Sequence, residues 1–534
     1  MMQNSRRGSR RSFEPVLIGV AAVGMLLPGV PAAAQAAGGA APPPKTGKPV
    51  SPNKAAMERG TDLFRNGDLD KALTAFLEAE KLDPTDGTPL AWLGLIHYRK
   101  NRYKEAIDCF QRSLKIKDSE PTTWNNLGNT HLAAGDFTKA IDAYRQAIQR
   151  QGTTRTLFDP FYNLGSALIK QGLYEDALST LKDAEKLAPT DGAVQNNIGF
   201  IYEQMYLKEK DPAKRDPALL EQAVGYYQRA VNREPENQVF VRNLGLAKRR
   251  QDNRNAASIT DLARATQLDG KDYGAWLALA EGYQANGQVA DAIAAYQKAI
   301  TVRPTEHVPH YNVGLMFARD KRVVEALASF QQAYRLAPTN ADVLNALGYA
   351  YFLQSNWAES ASWYQKAIQA KPDLQTAYSN LGRAQYRLGK KEEAATSWAK
   401  AVQLNPNDSD TRSLLATTYI EKGNATPVGR ARDEWYRKGL AELDETVRIN
   451  PKDAYAHNNR GFVLDRLRKP AESILAYRAA IEADPNIAIA HNNLGVALQA
   501  EGQIEQAKQS FQRAIQIDPN YKEARDNLRG LLNQ

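Results

Sequence analysis

From residue 53 to residue 521 the sequence returns to one pattern about every 34 residues, and this recurrence limits the fold more than any other feature. A chain that stacks like units grows lengthwise and has no single core, so the three or four domains suggested by 534 residues do not apply. The units start at 53, 87, 121, 158, 192, 238, 273, 307, 341, 375, 409, 454 and 488. With each unit numbered from 1, position 8 is Gly60, Gly94, Gly128, Gly165, Gly199, Gly245, Ala280, Gly314, Gly348, Gly382, Ala416, Gly461 and Gly495. Position 20 is always small, position 24 is mostly aromatic (Phe76, Phe110, Tyr144, Tyr227, Tyr296, Phe330, Tyr364, Trp398, Tyr477, Phe511), alanine recurs at 27, and proline closes ten units.

Positions 4, 7, 8 and 11 form one face of a first helix, and positions 20, 24 and 27 form one face of a second. Residues without bulk at 8 and 20 are expected where the two backbones cross, with larger side chains filling the flanks. Gly67, Gly135, Gly172, Gly287, Gly389 and Gly502 hold position 15, where a left-handed residue ends the first helix. The closing proline stops the second helix, and the Asn or Asp that often follows caps the next.

Three departures stand out. Residues 155–157 are extra, and repeats five and eleven carry about 12 and 11 additional residues near "LKEKDPAKRDPA" and "KGNATPVGRAR". These insertions are expected to lengthen loops at the hairpin tips without breaking the stack. Repeat six reads as degenerate, with Asp261 and Arg264 where an aromatic and an alanine are expected. After Pro519, Tyr521, Ala524, Leu528 and Leu531 share one face of a predicted capping helix over 522–534.

The pattern over 53–521 resembles the tetratricopeptide repeat family. The resemblance implies an all-α, right-handed superhelical solenoid of about thirteen helix-turn-helix repeats whose first helices line a concave groove. The array is also similar to the repeat domain of O-linked N-acetylglucosamine transferase, without any catalytic domain.

Position 6 lies about 200° around the first helix from position 4 and points away from the partner helix. Asparagine fills it in eight units, as Asn126, Asn163, Asn197, Asn243, Asn312, Asn380, Asn459 and Asn493. It forms helix poorly, so hairpin packing alone does not ask for it. A primary amide pairs with both halves of a peptide group, and the resemblance implies an asparagine ladder that holds an extended polypeptide by its backbone. The competing reading is a family residue that only solvates the groove. A carboxylate clamp for a partner's C-terminus, another mode the resemblance offers, finds amides at Asn126, Asn129 and Asn163. The lysine it needs is replaced by Asn125.

Ahead of the array, Arg6, Arg7, Arg10 and Arg11 precede the apolar run Val16 to Leu27 and then small-residue sequence around Ala32 to Ala36. Twelve residues are too few to span the about 30 Å hydrocarbon core of a bilayer as a helix. Residues 1–36 therefore read as a cleaved signal peptide, of the general secretory or twin-arginine type, and 37–52 as a flexible linker. Location in the periplasm or cell envelope of a bacterium is expected, with membrane contact only through an uncleaved leader.

The formal charge is +9, and the leader accounts for three of it with four Arg and one Glu. The remaining charge is thinly spread, which disfavours a nucleic-acid partner. The one basic cluster, Lys248, Arg249, Arg250 and Arg254, reads as a solvated patch. The single cysteine, Cys109, allows no internal disulfide and reads as a buried, inert thiol. His97 and His131 at position 11, and His310, His457 and His491 at position 4, read as core residues. His307 and His310 have metal spacing but no third ligand in view, so neither a metal nor another cofactor is expected. No phosphate loop, nucleophile elbow or dinucleotide fingerprint occurs, and the repeats leave no room for a catalytic domain. The reading is a non-enzymatic scaffold for protein or peptide partners. Its alternative is a non-catalytic, substrate-presenting subunit of a transferase or an envelope secretion assembly.

Overall fold

The computed structural model describes residues 51–532; the predicted signal peptide and all of the predicted linker except Ser51 and Pro52 lie outside the described residues. Among the described residues there are twenty-seven α-helices and no strand. They fall into two units that divide between Val302 and Arg303. The first holds repeats one to seven. The second holds repeats eight to thirteen and the C-terminal helix Lys522–Leu532.

Within each unit the helices pack pairwise in sequence order, and first helices also touch the first helices of neighbouring repeats. Helix ends follow the local chemistry. The position-15 glycines adopt φ between 73° and 84°, and Asn101, Lys321, Ser355 and Arg468 take the same left-handed turn at φ 58° to 61°. In the turn that closes a repeat, the side chains of Asp191, Asp272, Asn340, Asp408 and Asp453 accept backbone N–H bonds at the start of the next first helix.

The hairpin joint differs from the expected backbone crossing. A Cβ at position 8 would lie 2.5 Å from Tyr144 Cε1 at Gly128, 2.6 Å from Phe110 Cε1 at Gly94 and 2.5 Å from Trp398 Nε1 at Gly382. The glycine therefore makes room for the ring at position 24 of its own repeat, which lies flat on the first helix. These rings are the largest fully buried side chains. Alanine at positions 20 and 27 lets the second helix approach, and Ala72, Ala106, Ala140 and Ala177 are all 0% exposed.

Repeat six is corrected by its length. Its successor starts 35 residues on, so one residue is inserted and the core moves to Leu262 and Ala265. Leu262 Cγ lies 2.8 Å from a Cβ built on Gly245, the role that an aromatic fills elsewhere. The long insertions are corrected too, because they mostly lengthen helices. Repeat five has helices Gly192–Lys208 and Pro217–Arg233, and repeat eleven has Ser409–Ala425 and Arg430–Ile449. In repeat eleven the extra turns are held by Gly423, where a Cβ would lie 2.6 Å from Tyr436 Cε1.

The terminal helix continues the array as the first helix of an unfinished repeat. Ala524 and Leu531 bury against repeat thirteen. Arg529 stands at position 8, where the thirteen repeats carry glycine or alanine.

Candidate peptide-binding face

The eight predicted asparagines lie on first helices, and none is exposed. Asn126, Asn163 and Asn312 are buried, whereas Asn197, Asn243, Asn380, Asn459 and Asn493 are half-buried. Four of them turn an amide donor toward an asparagine of the preceding repeat, and Asn197 donates to Ser166 Oγ of the repeat before it at 3.5 Å. Asn163 Nδ2 donates to Asn125 Oδ1 at 3.0 Å and to Asn129 Oδ1 at 3.2 Å. Asn243 donates to Asn196 at 2.9 Å, Asn380 to Asn345 at 3.2 Å and Asn493 to Asn458 at 3.0 Å. Asn527 of the C-terminal helix repeats the bond to Asn492 at 2.9 Å.

For those four and for Asn527, an acceptor is the asparagine at position 5 of the preceding first helix. Asn125, Asn196, Asn345, Asn458 and Asn492 are between 3% and 6% exposed, so each amide oxygen needs a partner inside the protein. The sequence carries this signal. Every unit with asparagine at 5 is followed by a helix with asparagine at 6, so these two asparagines form a clasp between repeats, at Asn345 and Asn380 even without a doublet. Position 5 is the participant that motif reading overlooked. The picture of a row of unengaged amides is corrected accordingly, although a clasped asparagine retains its amide oxygen and second N–H. Asn459 has serine at position 5 ahead of it, and its Oδ1 receives only a long 3.4 Å bond from Asn458. Of the amides that a carboxylate clamp would use, Asn163 and Asn129 are committed to each other, and Asn129 also accepts from the Tyr144 hydroxyl at 2.7 Å.

Position 4 supplies a second tie between repeats. Trp124, Gln195, Trp276, Arg412, His457 and His491 each direct a side-chain nitrogen at a backbone carbonyl in the turn that closes the previous repeat, at 2.7–3.1 Å. His457 and His491 are thus turn fasteners. His307 faces the Asn340 amide at 3.3 Å. His97, His131 and His310 have their imidazolium forms disfavoured by burial. Among the described residues no three His, Cys, Asp or Glu side chains are placed to hold a metal ion. Burial pushes the Cys109 thiol up to about 11.

Three members of the basic cluster form a half-buried belt of ion pairs, which corrects their reading as a solvated patch, while Arg254 is exposed. Lys248 pairs with Asp261 at 2.8 Å and Arg249 with Glu281 at 2.6 Å, while Arg250 pairs with Glu203. On the same first helix, Gln238–Gln251, Arg242 meets Asp272 at 2.8 Å. Burial raises the Glu281 carboxyl above its ordinary range, although Arg249 opposes the shift. Glu203 also accepts from the buried Tyr227 hydroxyl at 2.9 Å. These charges tie repeats five, six and seven together, which is why that helix needs fewer apolar residues.

Packing and clasps consume positions 3 to 8 and 10 of the first helices. Positions 2, 9 and 13 carry much of the accessible surface left on that face in repeat ten, at Thr376, Arg383 and Arg387 beside half-buried Asn380, whereas Arg250 and Glu281 at such positions in repeats six and seven are held in ion pairs.

Family models described as tetratricopeptide repeat match residues 86–153, 119–190, 242–307, 277–341, 375–408, 430–486 and 488–521, and one described as TPR repeat matches 349–389. All of the lengthened repeat five, residues 192–237, falls outside the matches. No curated protein matches the chain. Among solved structures it is similar to the APC/C hetero-tetramer Cut9-Hcn1, at 13% identity over 90% of this chain and 97% of that one, with a TM-score of 0.37. It is also similar to the yeast Tom70, at 16% identity over 90% and 95% with a TM-score of 0.34. YrrB, described as a TPR protein with an unusual peptide-binding site, matches at 20% identity over 37% and 96% with a TM-score of 0.32. With matched repeats spread from residue 86 to residue 521 and paired helices throughout, the chain belongs to the tetratricopeptide repeat family of protein-interaction scaffolds.

Proposed function

We propose that this protein is an exported scaffold in a bacterial envelope that holds an extended polypeptide along its first helices. The observation that carries the reading is the division of labour on those helices. Packing and clasps consume one set of positions, and outside the ion-pair belt of repeats six and seven residues at 2, 9 and 13 keep surface open to a visitor, as Thr376, Arg383 and Arg387 do. Half-buried asparagines beside those residues add backbone contacts through the amide groups their clasps leave unused.

Asn459 separates the two roles, because it lacks the clasp to a preceding doublet. Asn459→Ala is expected to weaken peptide capture with little change in thermal stability; unchanged capture would remove the asparagines from recognition. For the scaffold itself, a photo-crosslinker at Arg383 in the native host should trap a polypeptide in the envelope fraction. Recovery of the chain in the cytosol, or of no crosslinked polypeptide, would overturn the proposal.

A further inference from the structure

First-helix arginines meet two fates in this chain, ion-paired in some repeats, Arg412 and Arg460 of the second unit among them, and stacked on a ring in others, as Arg99 is on Phe64. On the first helix of repeat six, Arg242, Arg249 and Arg250 are all neutralised by Asp272, Glu281 and Glu203. In the second unit, Arg383 and Arg387 share the exposed face of Gln375–Arg387, and Arg466 ends Ala454–Arg466. Among the described residues, the carboxylates nearby are engaged elsewhere. Glu421 pairs with Lys391, and Asp465 accepts from Tyr477 at 2.8 Å.

The helix dipole accounts for a basic residue in a last turn, but it does not account for planar support beneath one. The Arg387 guanidinium lies 5.6 Å from the Trp357 ring and that of Arg466 4.9 Å from the Phe462 ring. A guanidinium held against a ring keeps its fork oriented outward, which suits a carboxylate. Repeats twelve and thirteen add apolar side chains on the same kind of face, with Tyr455 55%, Ile489 38% and Val496 45% exposed.

We infer that the second unit takes an extended segment whose side-chain carboxylates meet Arg383, Arg387 and Arg466 and whose apolar side chains rest on Tyr455, Ile489 and Val496. This rests on the peptide-binding reading and adds the chemistry of the partner. The charge that these arginines leave unbalanced selects the sign. The apolar neighbours select a polypeptide over a polyanion without side chains. Since the carboxylates belong to side chains, a free C-terminus is not required.

The test uses the full chain and fluorescein-labelled peptides of about fifteen residues with both ends blocked, long enough to reach about 50 Å when extended. One peptide intersperses Glu with Leu, a second replaces Glu by Lys, a third replaces Leu by Ser, and an oligothymidylate serves as the polyanion. The Glu/Leu peptide is expected to bind at least tenfold more tightly than the other three, and to weaken about tenfold between about 0.05 and 0.5 M salt. Arg383→Ala/Arg387→Ala should remove most of that preference while leaving the helical circular dichroism and melting temperature unchanged. The milder pair Arg383→Gln/Arg387→Gln serves if the alanines unfold the repeat. Equal binding of the Lys/Leu peptide, or indifference to the arginine changes, overturns the acidic assignment and leaves peptide binding standing. Oligothymidylate binding as tightly as the Glu/Leu peptide overturns the polypeptide assignment. Failure of every peptide up to millimolar concentration overturns the peptide-binding reading and this inference together.

Discussion

At the scale of the residue, the asparagines carry the main physical argument. A buried amide oxygen left without a donor costs about 1–3 kcal/mol, more than a net hydrogen bond contributes. Asn163→Ala is therefore expected to destabilise repeats three and four by about that amount, because it strands the Asn125 oxygen, whereas Asn129 keeps the Tyr144 hydroxyl as donor. The double change Asn125→Ala/Asn163→Ala should cost less than the sum of the two single changes, with a coupling of about 0.5–3 kcal/mol in a denaturation cycle. Strict additivity would deny the clasp. The clasp was legible in principle from the doublets in the sequence. Reading position 6 against its own helix alone hid it, because the partner sits one repeat earlier.

Cys109 gives a second prediction at this scale. An unfolded thiol ionises near about 8.5, whereas burial holds the native one to about 11, so little thiolate exists in the folded protein at about pH 8. Disulfide reagents should label it slowly in the native state and rapidly in guanidinium chloride. The linked stability is full below about 8.5 and declines as pH rises toward about 11. Rapid native labelling at pH 8 would show that the site opens.

At the scale of the element, register decides which residues do the packing. Repeat six looked degenerate because a single inserted residue moves its second helix by one position. Leu262 is 0% exposed, whereas Asp261 meets Lys248 at the surface of the same helix. Leu262→Ala should cost about 2–5 kcal/mol and Asp261→Ala no more than about 1 kcal/mol, measured as shifts in chemical denaturation. The reverse order would restore the register expected from a strict 34-residue count. The insertions in repeats five and eleven were visible as extra length. Their helical state was not, because it depends on pairs such as Gly423 with Tyr436 that only the folded hairpin brings together.

At the scale of the whole molecule, stability in a stack is a sum of units and their interfaces, so unfolding need not be all-or-none. The C-terminal helix buries Ala524 and Leu531 on repeat thirteen and closes the last clasp through Asn527. Ending the chain at Pro519 should raise amide hydrogen exchange in Ala488–Ala500 and Ile504–Ile517 while leaving repeats one to seven unchanged. Uniform exchange before and after truncation would show that this helix is not part of the stack.

The sequence by itself determined the repeat, the hairpin and the residues that pack within it. Those choices are local, since a glycine, a ring and a proline at fixed spacing act within one unit. Only the tertiary structure decided what joins one unit to the next. The clasp between asparagines and the ion-pair belt around repeat six unite residues about thirty or more apart or on separate helices, and their partners exist as neighbours only after the helices stack.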